Sequence, residues 1–366
     1  MPDLIAEAGG LKAALAERAE ETERLRRLPE SSVRELAEAG FFRALLPAGL
    51  GGLEAEPLHF LKAIARLAEA DASPAWCAMI GATTALAACF LPDAAAREIF
   101  GARDVVTGGV FAPQGEARPV EGGYRLSGRW SWASGSAHCR WLMGGANLAG
   151  SGEARQFFFP ATEARLYDTW HSFGLCGTGS GDMEVRDIFV PAERSLSLVT
   201  GSPERLPGSL PVFGLLALGV AAVCLGIARG AIDDLTLQAR TRRPQGSRRL
   251  LAERTRLQAD LAGAEADWRA ADAYLARAVV EPATDGRIIE QRLELRLAAS
   301  HATRVAQRIV STMHEAAGGA AIFLGNPLQR RFRDVHVASR HMMVAPASFE
   351  LAGRLLFGLE TDTAML

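Results

Sequence analysis

The stretch GGYRLSGRWSWASGSAHCRW at residues 122–141 is an aromatic run punctuated by glycine, and it decides the fold class. Similar short runs, β-branched or aromatic and broken by glycine, surround it at residues 105–115, 141–148, 155–161 and 182–191. Runs of this kind indicate short strands joined by turns. The centre of the chain is therefore predicted to be a small antiparallel β-domain.

Helical patterns lie on both sides of this β-domain. Before it, apolar residues recur at helical spacing from Leu11 to Ala19, and a second helix is expected to end at Gly40. After it, residues 253–279 and 292–316 have the pattern of long amphipathic helices. The prediction is an α+β, mainly α fold with an N-terminal helical domain (1–103), a β-barrel-like middle domain (104–207) and a C-terminal four-helix bundle (208–366).

The bulk composition argues against several classes of protein. A formal net charge of −2 gives no general attraction to nucleic acid or to anionic lipid. The five cysteines are widely spaced without a cysteine–histidine cluster, which argues against a metal site or a disulfide framework. The apolar run at residues 210–228 is long enough to suggest a membrane span, but its proline and glycines favour a buried core helix. We expect a cytoplasmic protein without a membrane or nucleic-acid partner.

Four stretches of this sequence, taken in order, resemble the acyl-CoA dehydrogenase superfamily over nearly the whole chain. A glycine-rich turn follows the second helix at residues 36–57, and the run at 122–141 is similar to the strand that lies on the flavin ring in that family. Residues 174–191 resemble the closing strand pair, and residues 314–336 resemble a QxxGGxG segment followed by an Arg-Asp pair. The resemblance implies the acyl-CoA dehydrogenase fold and a flavin cofactor.

The resemblance also implies which residues contact the flavin. Trp132, Ser134 and Gly135 occupy the place where the family presents a hydroxyl and backbone amides to the ring, although the same residues would also suit a plain turn. Gly318 and Gly319 correspond to the segment that serves the flavin of a neighbouring subunit, which implies a homotetramer or homodimer. A simple helix C-cap would use the same pair of glycines.

Two further positions match the family at the flavin pyrophosphate. Arg242 and Gly246 stand where the family has an arginine and a glycine, and a solvated basic loop is the alternative interpretation. The aromatic that usually precedes the glycine is Gln245, and the usual glutamine of the other segment is Glu315. These departures leave FAD as the expected cofactor, with FMN as an alternative.

The catalytic carboxylate of most acyl-CoA dehydrogenases is missing from its usual place. In most of the family it lies nine residues beyond the arginine of the Arg-Asp pair, a position that Met342 occupies here, and a thioether does not accept a proton. Some members place the base on the preceding long helix, near Glu253 to Asp267. An acyl-CoA dehydrogenase with a displaced base therefore remains the alternative function, and a non-catalytic relative of the fold is a third.

His341 beside this position resembles the oxygen-activating branch of the superfamily. Those enzymes take reduced flavin from a separate reductase, form a C4a-hydroperoxyflavin and hydroxylate a small aromatic or polyketide-like substrate. The branch uses a histidine from this segment and a serine from the β-domain, which His341 and Ser134 match. A histidine suits acid–base catalysis near neutral pH, although a core histidine would look the same. Trp170 and His171 are predicted, with Met342, to line the substrate entrance; a strand-edge aromatic is the alternative for Trp170.

Overall fold

The computed structural model describes residues 2–201, 210–281 and 288–366. The chain divides into two compact units: the first contains Met1–Phe60, Trp76–His171 and Cys176–Val212, and the second contains Leu61–Ala75, Ser172–Leu175 and Phe213–Leu366. The structure is 57% helical with a central mixed sheet, which confirms the predicted fold class. The three domain boundaries stay a prediction.

The chain up to the sheet is helical, as the apolar periodicity predicts. Gly40 follows the third helix with a left-handed φ of 87°, a conformation that glycine adopts without a Cβ clash, so the predicted helix end is confirmed. The helices are α1 (Leu4–Glu17), α2 (Ala19–Leu25), α3 (Glu30–Glu38), α4 (Pro57–Ala68), α5 (Ala72–Ala85) and α6 (Asp93–Phe100).

The predicted strands are present and form one seven-stranded sheet with the order β5-β6-β2-β1-β3-β4-β7. The sheet is mixed rather than wholly antiparallel, because β1 pairs with β3 in parallel while every other described pair is antiparallel. The strands are β1 (Thr107–Val120), β2 (Gly123–Trp130), β3 (Trp141–Leu148), β4 (Ala154–Pro160), β5 (Arg165–Tyr167), β6 (Asp182–Pro191) and β7 (Ser195–Leu196).

Glycines in three neighbouring strands make room for the indole of Trp130 at the end of β2. Trp130 is fully buried, and its Nε1 donates to the Gly145 carbonyl at 2.7 Å. A Cβ at Gly115, Gly128 or Gly144 would come within 2.6–2.7 Å of the Trp130 ring. The glycines that punctuate the sequence are therefore packing positions around this side chain, and the anchored indole sets where the following turn begins.

The second unit contains the long helices α7 (Val212–Thr241), α8 (Thr255–Val280) and α9 (Ile288–Ala317), followed by α10 (Pro327–Ala338) and α11 (Ala347–Leu356). By length and hydropathy, Ala72–Phe90 and Val212–Thr241 could each span a membrane, but 83% and 89% of their apolar windows are buried inside the protein. This confirms the core-helix interpretation of residues 210–228. Gly226 of α7 packs against α4, where a Cβ would lie 2.2 Å from the Ala65 carbonyl oxygen.

Candidate active site

The turn after β2 buries Ser134 and presents Trp132 to the surface. Backbone hydrogen bonds tie this turn to the loop before β6: Ala133 N–H donates to the Gly181 carbonyl at 3.0 Å, and Gly135 N–H donates to the Thr178 carbonyl at 2.8 Å. Trp132 is 65% exposed and has a left-handed φ of 64°, a conformation that costs a tryptophan about 1 kcal/mol or more. A strained, exposed aromatic held by its neighbours is a feature of binding sites, and Trp132 is one of the predicted flavin contacts.

The hydroxyl of Ser134 belongs to a chain of buried side chains that sequence reasoning did not find. Trp76 Nε1 donates to Ser134 Oγ at 3.1 Å, and Ser180 Oγ lies 2.7 Å from the same oxygen. Thr178 Oγ1 lies 2.6 Å from Ser180 Oγ. Trp76 is on α5, a segment that the sequence indicates only as core, and no local pattern connects it to Ser134.

His341 lies in the turn that follows α10, with intermediate exposure. Its Nδ1 accepts a hydrogen bond from the Met343 N–H at 3.3 Å, which assigns the proton of the neutral ring to Nε2. Burial, followed by the charge of Arg296, lowers the pKa of His341 to about 4. The imidazole is therefore neutral near pH 7, with a hydrogen-bond donor at Nε2.

Arg296 is a second residue that sequence reasoning missed. It is 5% exposed, and its Nη2 donates to the Met365 carbonyl at 2.5 Å and contacts Met343 Sδ at 3.9 Å. Burial lowers the pKa of this guanidinium to about 10. Its charge disfavours a second positive charge on His341 and so acts with burial to keep that ring neutral.

The carboxylate of a dehydrogenase is absent from its usual position, as the sequence predicts. Met342 occupies that position and is 52% exposed, and Glu350 lies in the first turn of α11. The nearby Asp334 instead accepts a hydrogen bond from the Leu175 N–H at 2.6 Å. Burial, and then the charge of Asp71, raises the pKa of Asp334 to about 7.

His336, five residues before His341, has a structural environment. Gln307 Nε2 lies 2.8 Å from its Nδ1 and Ser311 Oγ lies 3.3 Å from its Nε2, while its ring centroid lies 4.3 Å from that of Phe332, with the two rings tilted by 51°. Burial, Arg340 and His314 lower its pKa. With Phe173 and Arg340, His336 lines a groove of about 440 Å³ on the surface of α10.

The predicted flavin contacts of the second unit lie partly together. Arg242 Nη1 donates to the carbonyl of Ala317 at 2.6 Å, so its guanidinium lies beside Gly318 and Gly319. A Cβ at Gly318, Gly319 or Gly246 would meet no atom within 4 Å, and Gly318 and Gly246 have left-handed φ values of 61° and 74°. An open glycine surface beside a forked cation fits the phosphates of a flavin nucleotide. Glu315 is exposed one turn earlier in α9.

Trp170 and His171 belong to the first unit, in the loop after β5. Arg26 Nη1 lies 2.5 Å from His171 Nδ1, and His171 Nε2 lies 3.1 Å from the Asp168 carbonyl. Arg26 also pairs with the Asp168 carboxylate. His171 is exposed and Trp170 is half-exposed, and their role at a substrate entrance stays a prediction.

Comparison with known proteins agrees with this fold. The N-terminal domain of acyl-CoA dehydrogenases matches residues 10–97, and the C-terminal domain of acyl-CoA dehydrogenases matches residues 218–346. Indole-3-acetate monooxygenase of Pseudomonas putida is 32% identical over 92% of this chain and 89% of its own length. The oxygenase subunit HsaA of a flavin-dependent monooxygenase from Rhodococcus jostii is also 32% identical, over 95% of this chain and 97% of its own.

Solved structures give the same result. The 3-HSA hydroxylase from Rhodococcus sp. RHA1 has a TM-score of 0.90 and 30% identity, and the match covers 100% of this chain and 99% of that chain. XiaF from Streptomyces sp., in complex with FADH2 and glycerol, has a TM-score of 0.89 and 27% identity, covering 98% of this chain and 96% of that chain. The chain belongs to the acyl-CoA dehydrogenase family. Within that family it is a flavin-dependent oxidoreductase of the monooxygenase group, which confirms the resemblance and the predicted class of enzyme.

Proposed function

We propose that the chain is the oxygenase component of a two-component hydroxylase that acts on a small aromatic substrate. A separate reductase supplies the reduced flavin, FAD or FMN, which delivers two electrons to O2. One oxygen atom then enters a C–H bond of the substrate as a hydroxyl group and the other leaves as water. The proposal extends to a cytoplasmic location and to a homo-oligomer, a tetramer or a dimer.

The observation that carries this proposal is the pair His341 and Met342. A dehydrogenase needs a carboxylate where Met342 stands, whereas a hydroxylase does not remove a substrate α-proton and needs no base there. With a pKa of about 4, the His341 imidazole is neutral at pH 7, and its Nε2–H would donate a hydrogen bond to the hydroxyl oxygen of a phenol. This hydrogen bond would hold the aromatic ring in position for attack by an electrophilic oxygen.

The alternative, a dehydrogenase with a displaced base, has weak support in the segment where that base is expected. Each carboxylate from residue 253 to residue 267 is engaged with a partner. Glu253 accepts from the Leu250 N–H at 2.5 Å, and arginine partners lie at 2.7 Å from Asp260, 2.5 Å from Glu265 and 2.8 Å from Asp267. The hydrogen bond from Arg229 lowers the pKa of Glu265. A carboxylate stabilised in this way is a poorer base.

The flavin is proposed to bind through two sets of residues. Trp132, Ser134 and Gly135 would contact the ring. Gly318 and Gly319, with Arg242 and Gly246, would hold the phosphates of a flavin bound by a neighbouring copy. The open space around the glycines supports the second set, and the exposed apolar side chains of Ile322, Phe323 and Leu324 directly follow it in the chain. Exposed apolar side chains beside a binding segment fit contact with another copy.

The proposal is tested by oxygen incorporation. The purified protein would be mixed anaerobically with chemically reduced FAD or FMN and with a panel of aromatic compounds. The panel includes indole-3-acetate and resorcinol, because the relatives of this chain include indole-3-acetate monooxygenase and the FADH2-dependent resorcinol hydroxylase of Rhizobium sp.. Addition of ¹⁸O2 should then give a product that is heavier by one labelled oxygen atom, as measured by mass spectrometry. His341→Gln should reduce product formation at least tenfold, while His301→Gln, an exposed histidine on α9, should leave it unchanged.

Two other outcomes would contradict the proposal. Reduction of bound oxidised flavin by an acyl-CoA, without oxygen incorporation into any aromatic compound, would establish the dehydrogenase alternative. Failure of the protein to bind FAD or FMN in either redox state would establish the non-catalytic alternative.

A further inference from the structure

The hydroxyl of Ser134 lies between two buried partners in the first unit. Trp76 Nε1 donates to Ser134 Oγ at 3.1 Å, and Ser180 Oγ lies 2.7 Å from Ser134 Oγ. Their exposed fractions are 5% for Trp76, 7% for Ser134 and 5% for Ser180. Thr178, 1% exposed, extends the chain through a 2.6 Å contact with Ser180. The arrangement is one indole followed by three hydroxyls, each within hydrogen-bonding distance of the next.

Among these hydrogen bonds, only the one between Trp76 and Ser134 has a fixed donor. An indole N–H donates and never accepts, so Trp76 occupies one lone pair of Ser134 at all times. Ser134 keeps one lone pair and one proton, and Ser180 uses one of these two. If Ser180 donates to Ser134, the Ser134 proton is available to a ligand. If Ser134 donates to Ser180, its second lone pair is available instead, and the contact between Ser180 and Thr178 allows both hydroxyls to turn together.

We propose that Trp76 and Ser180 are positioning residues that make Ser134 a hydrogen-bond donor to oxidised flavin and an acceptor from reduced flavin. The inference rests on the proposed function, in which Ser134 contacts the flavin ring. The N5 atom of oxidised flavin accepts a hydrogen bond, whereas in reduced flavin the same nitrogen carries a hydrogen. Because Ser180 can either donate to Ser134 or accept from it, Ser134 can bond to both redox states of the flavin. Without such a neighbour, the Ser134 proton would have no acceptor when Ser134 accepts from reduced flavin.

Backbone hydrogen bonds around Ser134 and Ser180 keep these hydroxyl groups at the distances given above. Gly135 N–H donates to the carbonyl of Thr178 at 2.8 Å, and Ala133 N–H donates to the carbonyl of Gly181 at 3.0 Å. These bonds join the residues on either side of Ser134 to Gly181, which follows Ser180, and to Thr178, two residues before Ser180. The two hydroxyls are therefore preorganised, and their alignment does not depend on the ligand.

The first test uses the protein without flavin. The chain has six tryptophans, so the ¹H–¹⁵N spectrum of the indole groups is simple, and Trp76→Phe identifies the Trp76 signal. Ser134→Ala should shift this signal and increase its exchange with water, because the indole loses its acceptor. Trp268 donates to the Leu225 carbonyl at 2.9 Å and serves as the internal control, with a signal that should not move. A Trp76 signal that is unchanged in Ser134→Ala would overturn the proposal.

The second test measures the affinities for oxidised and reduced flavin under anaerobic conditions. When Ser134 accepts a hydrogen bond from reduced flavin, its own proton needs Ser180 as an acceptor, and Ser180→Ala removes that acceptor. Its Kd for reduced flavin should therefore rise about fivefold, whereas the Kd for oxidised flavin should change less than twofold. Trp76→Phe removes the same bond in both states and should raise both values about equally. Ser197→Ala, a buried serine bonded to Thr200, is the control and should change neither.

The outcomes separate this inference from the proposed function. Ser134→Ala could change the flavin affinity while Ser180→Ala changes the Kd values for oxidised and reduced flavin equally. The proposed role of Ser180 would then be refuted, and the proposed function would stand. If wild-type protein binds no flavin, the proposed function fails first. An unequal effect of Ser180→Ala, with a normal unfolding temperature, supports the inference.

Discussion

His341 should make the folded protein less stable at pH 5 than at pH 8. Burial and the charge of Arg296 lower its pKa from the ordinary 6.5 to about 4 in the folded chain. The unfolded chain therefore binds a proton at this residue below about pH 6.5, while the folded chain does so only below about pH 4. Stability is lost as the pH falls through this interval. Between pH 8 and pH 5 the loss from this residue is about 2 kcal/mol, because one pKa unit corresponds to about 1.4 kcal/mol.

The assay is the free energy of unfolding by urea at the two pH values. His138 contributes to the same loss, since burial and then Arg27 lower its pKa to about 4. Asp334 opposes this loss, because its raised pKa stabilises the folded chain as the pH falls. The test is therefore the difference between variants: the loss of stability from pH 8 to pH 5 should be about 2 kcal/mol smaller in His341→Gln than in the wild type. His301→Gln is the matched control and should leave the loss unchanged. If His341→Gln lost as much stability between pH 8 and pH 5 as the wild type, the lowered pKa of His341 described above would be refuted.

Three further predictions concern packing, flavin binding and a buried acid. Gly226→Ala should cost about 1–3 kcal/mol in urea unfolding, because its Cβ would lie 2.2 Å from a carbonyl oxygen, whereas Gly263→Ala, with no atom within 4 Å, should be neutral or stabilising. Gly319→Val should keep the unfolding temperature and weaken flavin binding at least tenfold in a fluorescence titration, while Gly325→Val, equally open, should leave it unchanged. Asp334→Asn should remove the contribution of this one carboxyl, which loses stability as the pH rises from about 4 to 7 because the raised pKa keeps it protonated in the folded chain only; urea unfolding of the variant and the wild type at both pH values measures the difference.

Much of the fold could be predicted from local patterns. The runs at 141–148 and 182–191 coincide with β3 and β6, and the amphipathic pattern at 253–279 differs from α8 by two residues at the start and one at the end. These elements have periodic or aromatic sequences, and such patterns can be recognised from residues that are close together in the sequence. The parallel pairing of β1 with β3 was not predicted, because pairing depends on which strands meet after the chain has folded.

The candidate site was predictable only at positions with a family motif. Ser134, His341 and Met342 were found through the resemblance, and Met342 showed that the usual carboxylate is missing. Trp76 and Ser180 were not found, since they lie 58 and 46 residues from Ser134 in the sequence and contact it only through side chains. No spacing rule relates residues so far apart.

The sequence by itself determined the order of helices and strands, the flavin-binding family and the absence of a carboxylate at position 342. Only the tertiary structure decided that the His341 imidazole is neutral. It also decided that the Ser134 hydroxyl accepts from Trp76 and can either donate to Ser180 or accept from it. The physical reason is that pKa values and hydrogen-bond polarity depend on burial and on atoms a few ångströms away. Those atoms belong to residues that folding brings together from distant parts of the chain.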